Sequence, residues 1–575
     1  MSRALPLSPP TTPGTPGTPG TPSDAPASSS PGPRSPLGAL LVRVRGALPV
    51  LPVVAVVALL GLPIAPSGEG GANIADAMSG LLVVGCAVRL VRDRRRPLSP
   101  GAAVVLALPV IGIAVAAADA AGPGAGLTGL TRYLQIFVLV PAAVALLVRD
   151  RRDLRLLAWA FVALALWQGT VGVHQYVTGT GASYQGEDVR AVGTFGPTDV
   201  MGMATVVAFG LVCAVALALG SGTVRQRTPA VVCALALLPP LALSFSRGAW
   251  IATALACGAQ LALAGLRRAV KVGAVVAAVA VILVGGLGVG TEMLQQRLDS
   301  ITQVTDAPDQ SVVDRYTMWA AAVDMWRGHP LTGVGLKGFP DHRDGHASLA
   351  LSSGSDIGGA GTAYSKQPLL SPHNMYLLVL SEQGLIGLLA LAGSWLALLV
   401  CALRGLVRVR RAPTDGPATA VGGGPARTAT GLDCALIACG LLCWQLVDFV
   451  YADIGGPSTV LTGVCFGLVA WWALVDRVSP LSLASEAGVS PARPVAAGAS
   501  VRPTASDAPG ASDAPASGAS GASAASGASA ASGASAAEAV PTAPASEAAA
   551  PPVSASAASP GSSPTPGSTE EAPTR

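Results

Sequence analysis

Two arginines and one histidine carry the side-chain chemistry that stands out in this chain. Arg247 lies in Leu243-Ser244-Phe245-Ser246-Arg247-Gly248-Ala249-Trp250, between two apolar runs and away from the basic clusters. A guanidinium at the edge of hydrocarbon is expensive unless paired, which makes it a functional candidate. The plainer alternative is an arginine that snorkels to the interface beside Trp250. Arg315 opens Asp314-Arg315-Tyr316-Thr317-Met318-Trp319, and the segment runs on to Trp326. Helical spacing puts Arg315, Trp319, Ala322 and Trp326 on one stripe. It predicts a helix along the membrane interface with that stripe buried; a helix whose arginine is simply solvated is the alternative. The planar fork of arginine matches two phosphate oxygens, so the chemistry such residues would serve is binding a phosphate group and stabilising charge that develops on it.

The histidine is His373, in Ser371-Pro372-His373-Asn374. This reads as a helix start, with Ser371 as N-cap, Pro372 at the first helical position and His373 in the first turn. Free N–H groups there would form an anion site, and the positive end of the helix dipole would keep the imidazole neutral, ready to act as base or hydrogen-bond partner. The alternative is a histidine that merely caps an interface. His342-x3-His346 has a spacing compatible with metal ligands on a helix, but the pattern fixes no third ligand and the segment reads as loop. No metal ligand set and no cofactor are expected.

Glu382 stands in Ser381-Glu382-Gln383-Gly384-Leu385-Ile386-Gly387, about nine residues and roughly 13 Å below His373 on the same helix. That separation rules out contact, so Glu382 and Trp319 are read as supporting residues, Glu382 by pairing with another helix. Asp448 and Asp453 are polar but without a role. Gly333-x-Gly335-x-x-Gly338 matches a dinucleotide-binding pattern only formally, because that motif needs a strand before it and a helix after it. It is read as a turn-forming loop with Phe339 tucked beneath.

The elements that must hold these residues are apolar. Of 575 residues, 51% are hydrophobic and 12% charged, with a net charge of +4, as in a polytopic membrane protein with no call for nucleic acid. Runs long enough to cross the bilayer start near Gly46, Asn73, Ala102, Leu127, Leu154, Thr198, Pro229, Gly248, Val272, His373, Leu432 and Pro457, which makes about twelve spans. The seventh and eighth are divided by Pro239-Pro240 and Ser244–Arg247, where one kinked helix is the alternative. Basic clusters around Arg94, Arg151, Arg225, Arg267 and Arg408 each follow an even-numbered span. The positive-inside rule then puts both termini in the cytoplasm and the odd-to-even loops outside.

Residues 291–372 form one of those outer loops. It is long and aromatic, and a chain that only needs to span has no reason to order such a loop. Residues 1–45, rich in Pro, Thr and Gly, and 477–575, rich in Ala, Gly and Pro, are read as disordered cytoplasmic tails around a membrane domain at 46–476. The opening segment lacks the basic start and apolar core of a cleaved signal, so none is expected. The nine cysteines fall within apolar runs without CxxC spacing, which predicts neither disulfide nor zinc site.

Taken together, three segments resemble the O-antigen ligase superfamily of lipopolysaccharide ligases, O-antigen polymerases and protein O-oligosaccharyltransferases. They are Ser246-Arg247-Gly248-Ala249-Trp250, the Arg315…Trp319 helix leading into Pro330-x2-Gly333-x-Gly335-x3-Phe339, and His373-Asn374-x7-Glu382-x-Gly384-Leu385-Ile386-Gly387. The resemblance covers roughly residues 198–387. It implies an all-α fold of the membrane glycosyltransferase-C type, working without a metal and with inversion at the anomeric carbon. The donor would be a polyprenyl-diphosphate-linked glycan, and the acceptor a hydroxyl on a glycan, lipid or protein at the outer face of the cytoplasmic membrane. Arg247 and Arg315 match the family's diphosphate-contacting arginines and His373 its essential histidine. A multi-pass secondary transporter of anions or small solutes is the alternative. Carriers commonly have repeated halves and polar residues near the midplane, whereas this chain has no evident repeat and gathers its polar candidates in outer segments.

Overall fold

The computed structural model describes residues 48–63, 73–94, 98–183, 189–220, 224–281, 310–351, 355–358, 364–367, 369–411 and 431–475. The tails read at 1–45 and 477–575 lie outside them. Lipid offers the backbone no hydrogen-bond partners, so apolar runs must pair their own N–H and C=O groups as helices. A helix stands at every apolar run read from the sequence: α1 Leu51–Leu59, α2 Ile74–Asp93, α3 Pro100–Ala118, α4 Pro123–Leu147, α5 Arg151–Thr178, α6 Gly202–Leu219, α7 Val224–Ala236 with its continuation α8 Leu238–Leu243, α9 Arg247–Ala264, α10 Leu266–Val281, α13 Met375–Arg411, α14 Leu432–Asp448 and α15 Pro457–Val475.

Among the described residues seven of these, α2 to α6, α13 and α15, are long and apolar enough to cross a membrane. The protein is thus an all-α polytopic membrane protein at the coarse level. The first run yields only the nine residues of α1, short of a span. Burial orders the bundle: α15 hides 89% of its apolar window and α6 78%, against 22% for α2, so α6 and α15 are central while α2 turns most of its surface outward. Trp395 of α13 stacks on Phe466 of α15, centroids 5.7 Å apart and 6° from parallel, and Phe137 and Phe449 complete that aromatic core.

The Pro239-Pro240 pair does not end the seventh run. Pro239 is accepted near the start of α8, where its missing N–H matters least, and the reversal comes later, at Ser244–Ser246, with Phe245 at φ +50°. Ser246 then caps α9, its hydroxyl accepting from the N–H of Ala249 at 3.3 Å. Gly248 abuts Tyr451, Thr253 accepts from the Trp444 indole at 3.0 Å, and Gln260 donates to the Leu436 carbonyl at 3.0 Å. These contacts run in opposite chain directions, so α9 is antiparallel to α14. Seventh and eighth runs are therefore separate helices.

Charge is divided between the two ends of the bundle. Arg155 at the start of α5 pairs with Asp433 at the start of α14, Nη2 to Oδ1 at 3.0 Å, and α13 ends in Arg408, Arg410 and Arg411. At the opposite end lie Tyr451 after α14 and the residues that precede α13. There Arg132 bonds Asp76 at 2.6 Å and the Gly456 carbonyl at 2.9 Å.

The described part of the long loop is folded. It holds α11, Gln310–Gly328, α12, Phe339–His346, and a two-stranded antiparallel hairpin pairing Ser355–Gly358 with Tyr364–Gln367. A second short hairpin joins Ala182–Ser183 to Val189–Arg190. The His342–His346 segment expected as loop is helical, started by Pro340 near the N-terminus of α12.

Candidate active site

The site is built where α11, α13 and the chain after α14 meet. On α11 the buried face shares only Ala322 with the stripe expected from the sequence. Asp314, Thr317, Met318, Ala321, Ala322 and Met325 are buried, and Arg315, Trp319 and Trp326 flank that face half-buried. The small and sulfur-bearing side chains let α11 lie close on α13, and the larger aromatic and cationic ones are turned to its margin. Tyr316, 64% exposed, meets Trp319 edge-on with centroids 5.5 Å apart. The Trp319 indole N–H donates to the Pro372 carbonyl at 2.8 Å, which fixes α11 against the residues leading into α13.

The helix start also departs from the sequence reading. Asn374, not Ser371, caps α13: its side chain accepts from the Leu377 N–H at 3.1 Å and its carbonyl from Leu378 at 2.9 Å. His373 therefore stands outside the helix, at φ +48°, a region that disfavours side chains with a Cβ. Ser371 is used elsewhere. Its hydroxyl donates to the Asp453 carboxylate and accepts weakly from the His373 N–H at 3.4 Å. The N–H of Met375, the first residue of α13, bonds to the carbonyls of Phe449 at 2.9 Å and Ala452 at 3.0 Å, so the helix terminus is satisfied by protein.

His373 is thus held by its surroundings. Its Nδ1 lies 3.9 Å from Asp453 Oδ2; the histidine side chain keeps 45% of its surface accessible and the aspartate 6%. Partial burial lowers its pKa below 6.5; Asp453 works in the opposite direction, and the nearby Arg315 cation reinforces the lowering. The helix dipole invoked from the sequence is not needed for this. Asp453 is the residue that sequence reading left without a role. Its signal was a carboxylate after an apolar run and before the Gly455-Gly456 turn, where its Oδ1 accepts from the Gly455 N–H at 2.9 Å.

The structure therefore brings Arg315, Trp319 and His373 together and adds Asp453 and Ser371. Arg247 lies at the same end of the bundle: it is exposed and precedes Gly248, which packs on Tyr451, two residues before Asp453. Glu382 is set apart. It is 1% exposed and accepts from the Tyr133 hydroxyl of α4 at 3.1 Å and from the Phe339 N–H at 3.4 Å.

Below the site α13 is broken at Gly384, whose φ of +63° and ψ of −163° interrupt the helical ladder. Residues 330–335 fill the break. Val334 and Gly335 donate to the carbonyls of Ser381 at 2.9 Å and Glu382 at 3.1 Å, while Leu385 and Ile386 donate to Pro330 at 2.9 Å and Leu331 at 3.2 Å. Glycine is required on both sides: a Cβ on Gly333 would fall 2.4 Å from the Glu382 carbonyl carbon, and one on Gly384 2.3 Å from that of Leu331. The Gly333-Val334-Gly335 segment is a turn-forming loop, with Phe339 fully buried beneath it.

No curated protein matches the chain. Residues 229–392 match the family model described as O-Antigen ligase. That stretch supplies Arg247, α11, the loop in the break, His373 and Glu382. The match supports the resemblance of this segment to the O-antigen ligase and polymerase superfamily.

Proposed function

We propose that this protein is a glycan transferase of the cytoplasmic membrane, working at its outer face on a glycan carried by a polyprenyl diphosphate. About twelve spans with both termini in the cytoplasm belong to the same reading; it is supported by the basic clusters lying at the end of the bundle remote from His373. An acceptor hydroxyl on a glycan, lipid or protein attacks the anomeric carbon. The bond from that carbon to the diphosphate oxygen breaks, the lipid diphosphate leaves with the electron pair, and the anomeric configuration inverts. His373, kept neutral, takes the hydroxyl proton or orients the hydroxyl for attack, and Asp453 and Ser371 hold its ring and backbone. Arg315 and Arg247 take the charge that builds on the diphosphate, without a metal ion.

The observation that carries this reading is the bond from the Trp319 indole to the Pro372 carbonyl, which docks the helix of Arg315 beside His373 within the family-matched segment. The test is accumulation of donor. His373→Ala should stop transfer at unchanged protein level, so that lipid-linked glycan builds up and surface polysaccharide is lost, with no response to chelators in the parent. Full transfer by His373→Ala, or a strict divalent-metal requirement, would remove the proposed roles.

A further inference from the structure

Glu382 lies too far down α13 to touch a substrate at His373, yet its carboxylate is buried and fully engaged. It receives the Tyr133 hydroxyl from α4 at 3.1 Å and the Phe339 N–H from the start of α12 at 3.4 Å, and the Lys337 N–H is directed to the same group. All but the first of these donors lie just after residues 330–335, which fill the break at Gly384, and continue that loop into α12. That loop is the direct continuation of α11. His329 donates back to Met325 at 3.1 Å, Gly333 to His329 at 3.0 Å, and the Trp326 indole to Pro330 at 3.2 Å. The C-terminal end of α11 is therefore tied into the break, and its middle is tied to Pro372 by Trp319. Between those two ties α11 lies along the first turns of α13, and Arg315 sits one turn before the Trp319 tie.

We infer that Glu382 is a positioning residue: by binding the Tyr133 hydroxyl and the N–H groups of Lys337 and Phe339 it anchors the 330–339 loop in the α13 break, and through that loop sets where α11 presents Arg315 to His373. The carboxylate is suited to this because it offers several lone pairs at two oxygens and needs no donor of its own. An amide in its place would keep the volume, lose one acceptor oxygen and turn an NH2 group toward backbone N–H donors.

The inference rests on the transferase reading only for its kinetic arm. The structural arm uses nitroxide amino acids placed at Ala320 on α11 and Leu370 beside Pro372, both exposed, with a control pair at Leu235 and Leu255 on α7 and α9. Glu382→Gln should broaden the 320–370 distance distribution and leave the 235–255 distribution as in the parent. Tyr133→Phe removes one donor only and should broaden it less. Transfer should fall in kcat on the order of 10-fold to 100-fold with KM little changed, as for a displaced catalytic group. Unaltered 320–370 distances in both variants would overturn the inference, and so would equal broadening of the control pair, which marks general loosening. Should the parent show no glycan transfer while the selective broadening persists, the positioning role stands and the transferase reading falls.

Discussion

At the level of single residues, the proposed mechanism depends on a neutral imidazole between a cation and a carboxylate. Arg315 pushes the His373 pKa down and Asp453 pulls it up, on top of the lowering caused by partial burial. Replacing Arg315 with Gln should therefore move the acid limb of a kcat/KM profile to higher pH, and Asp453→Asn should move it lower; shifts of like sign would contradict the arrangement. The stability linkage has a defined sign. The folded pKa lies below 6.5, so this contribution to stability is present above 6.5 and is lost as pH falls through the folded value, where the unfolded chain binds more protons. Arg315→Lys keeps the charge but loses the fork, and kcat should drop on the order of 100-fold. The sequence made Arg247, Arg315 and His373 legible because charge and imidazole are conspicuous beside apolar runs. Asp453 was not legible, since nothing in a linear string says that the turn after α14 meets the residues before α13. The same blindness misassigned the cap: Ser371 and Asn374 are both good caps by type, and only the fold commits the Ser371 hydroxyl to Asp453.

At the level of elements, the broken helix is the unusual part. An apolar run containing Gly384 reads as one continuous span, because glycine within a helix is ordinarily only a mild weakness. Its left-handed dihedral appears once the 330–335 loop is seen inserted against it. Gly384→Ala and Gly333→Ala should each destabilise the protein by roughly 1–3 kcal/mol, since both need a positive φ and close approach to backbone. Gly258→Ala, in α9 with nothing near its Cβ direction, should be neutral or stabilise by about 0.5–1 kcal/mol. Thermal unfolding in detergent distinguishes them, and equal melting points for all three would contradict this reading of the break. Periodicity foretold α11 as a helix but rotated its buried face. Helical spacing put Trp319 and Trp326 on the buried stripe with Ala322, whereas the packed face joins Ala322 to Met318, Ala321 and Met325, and the indoles donate to carbonyls at its edge.

At the level of the whole molecule, apolar runs and arginine clusters made the all-α membrane architecture legible, including the split between the seventh and eighth runs. On the proposed orientation, Ser348, exposed after α12, faces outside the cell. A membrane-impermeant maleimide should label Ser348→Cys in intact cells and leave the parent unlabelled; labelling only after permeabilisation would reverse the orientation and remove the proposed site. The break in α13 also bears on how the protein is made. Ser381, Glu382, Leu385 and Ile386 leave backbone groups that their own helix does not pair, and lipid would supply no substitute. Their partners lie earlier in the chain, in the loop that on the proposed orientation is translocated first. On the proposed orientation, insertion of α13 into its final place would wait on the loop's arrival on the far side, so the hydrogen bonds that complete the helix would also time the assembly of the site. A chain caught with its loop on the wrong side would hold a defective span, open to membrane quality control before it could ever meet a substrate.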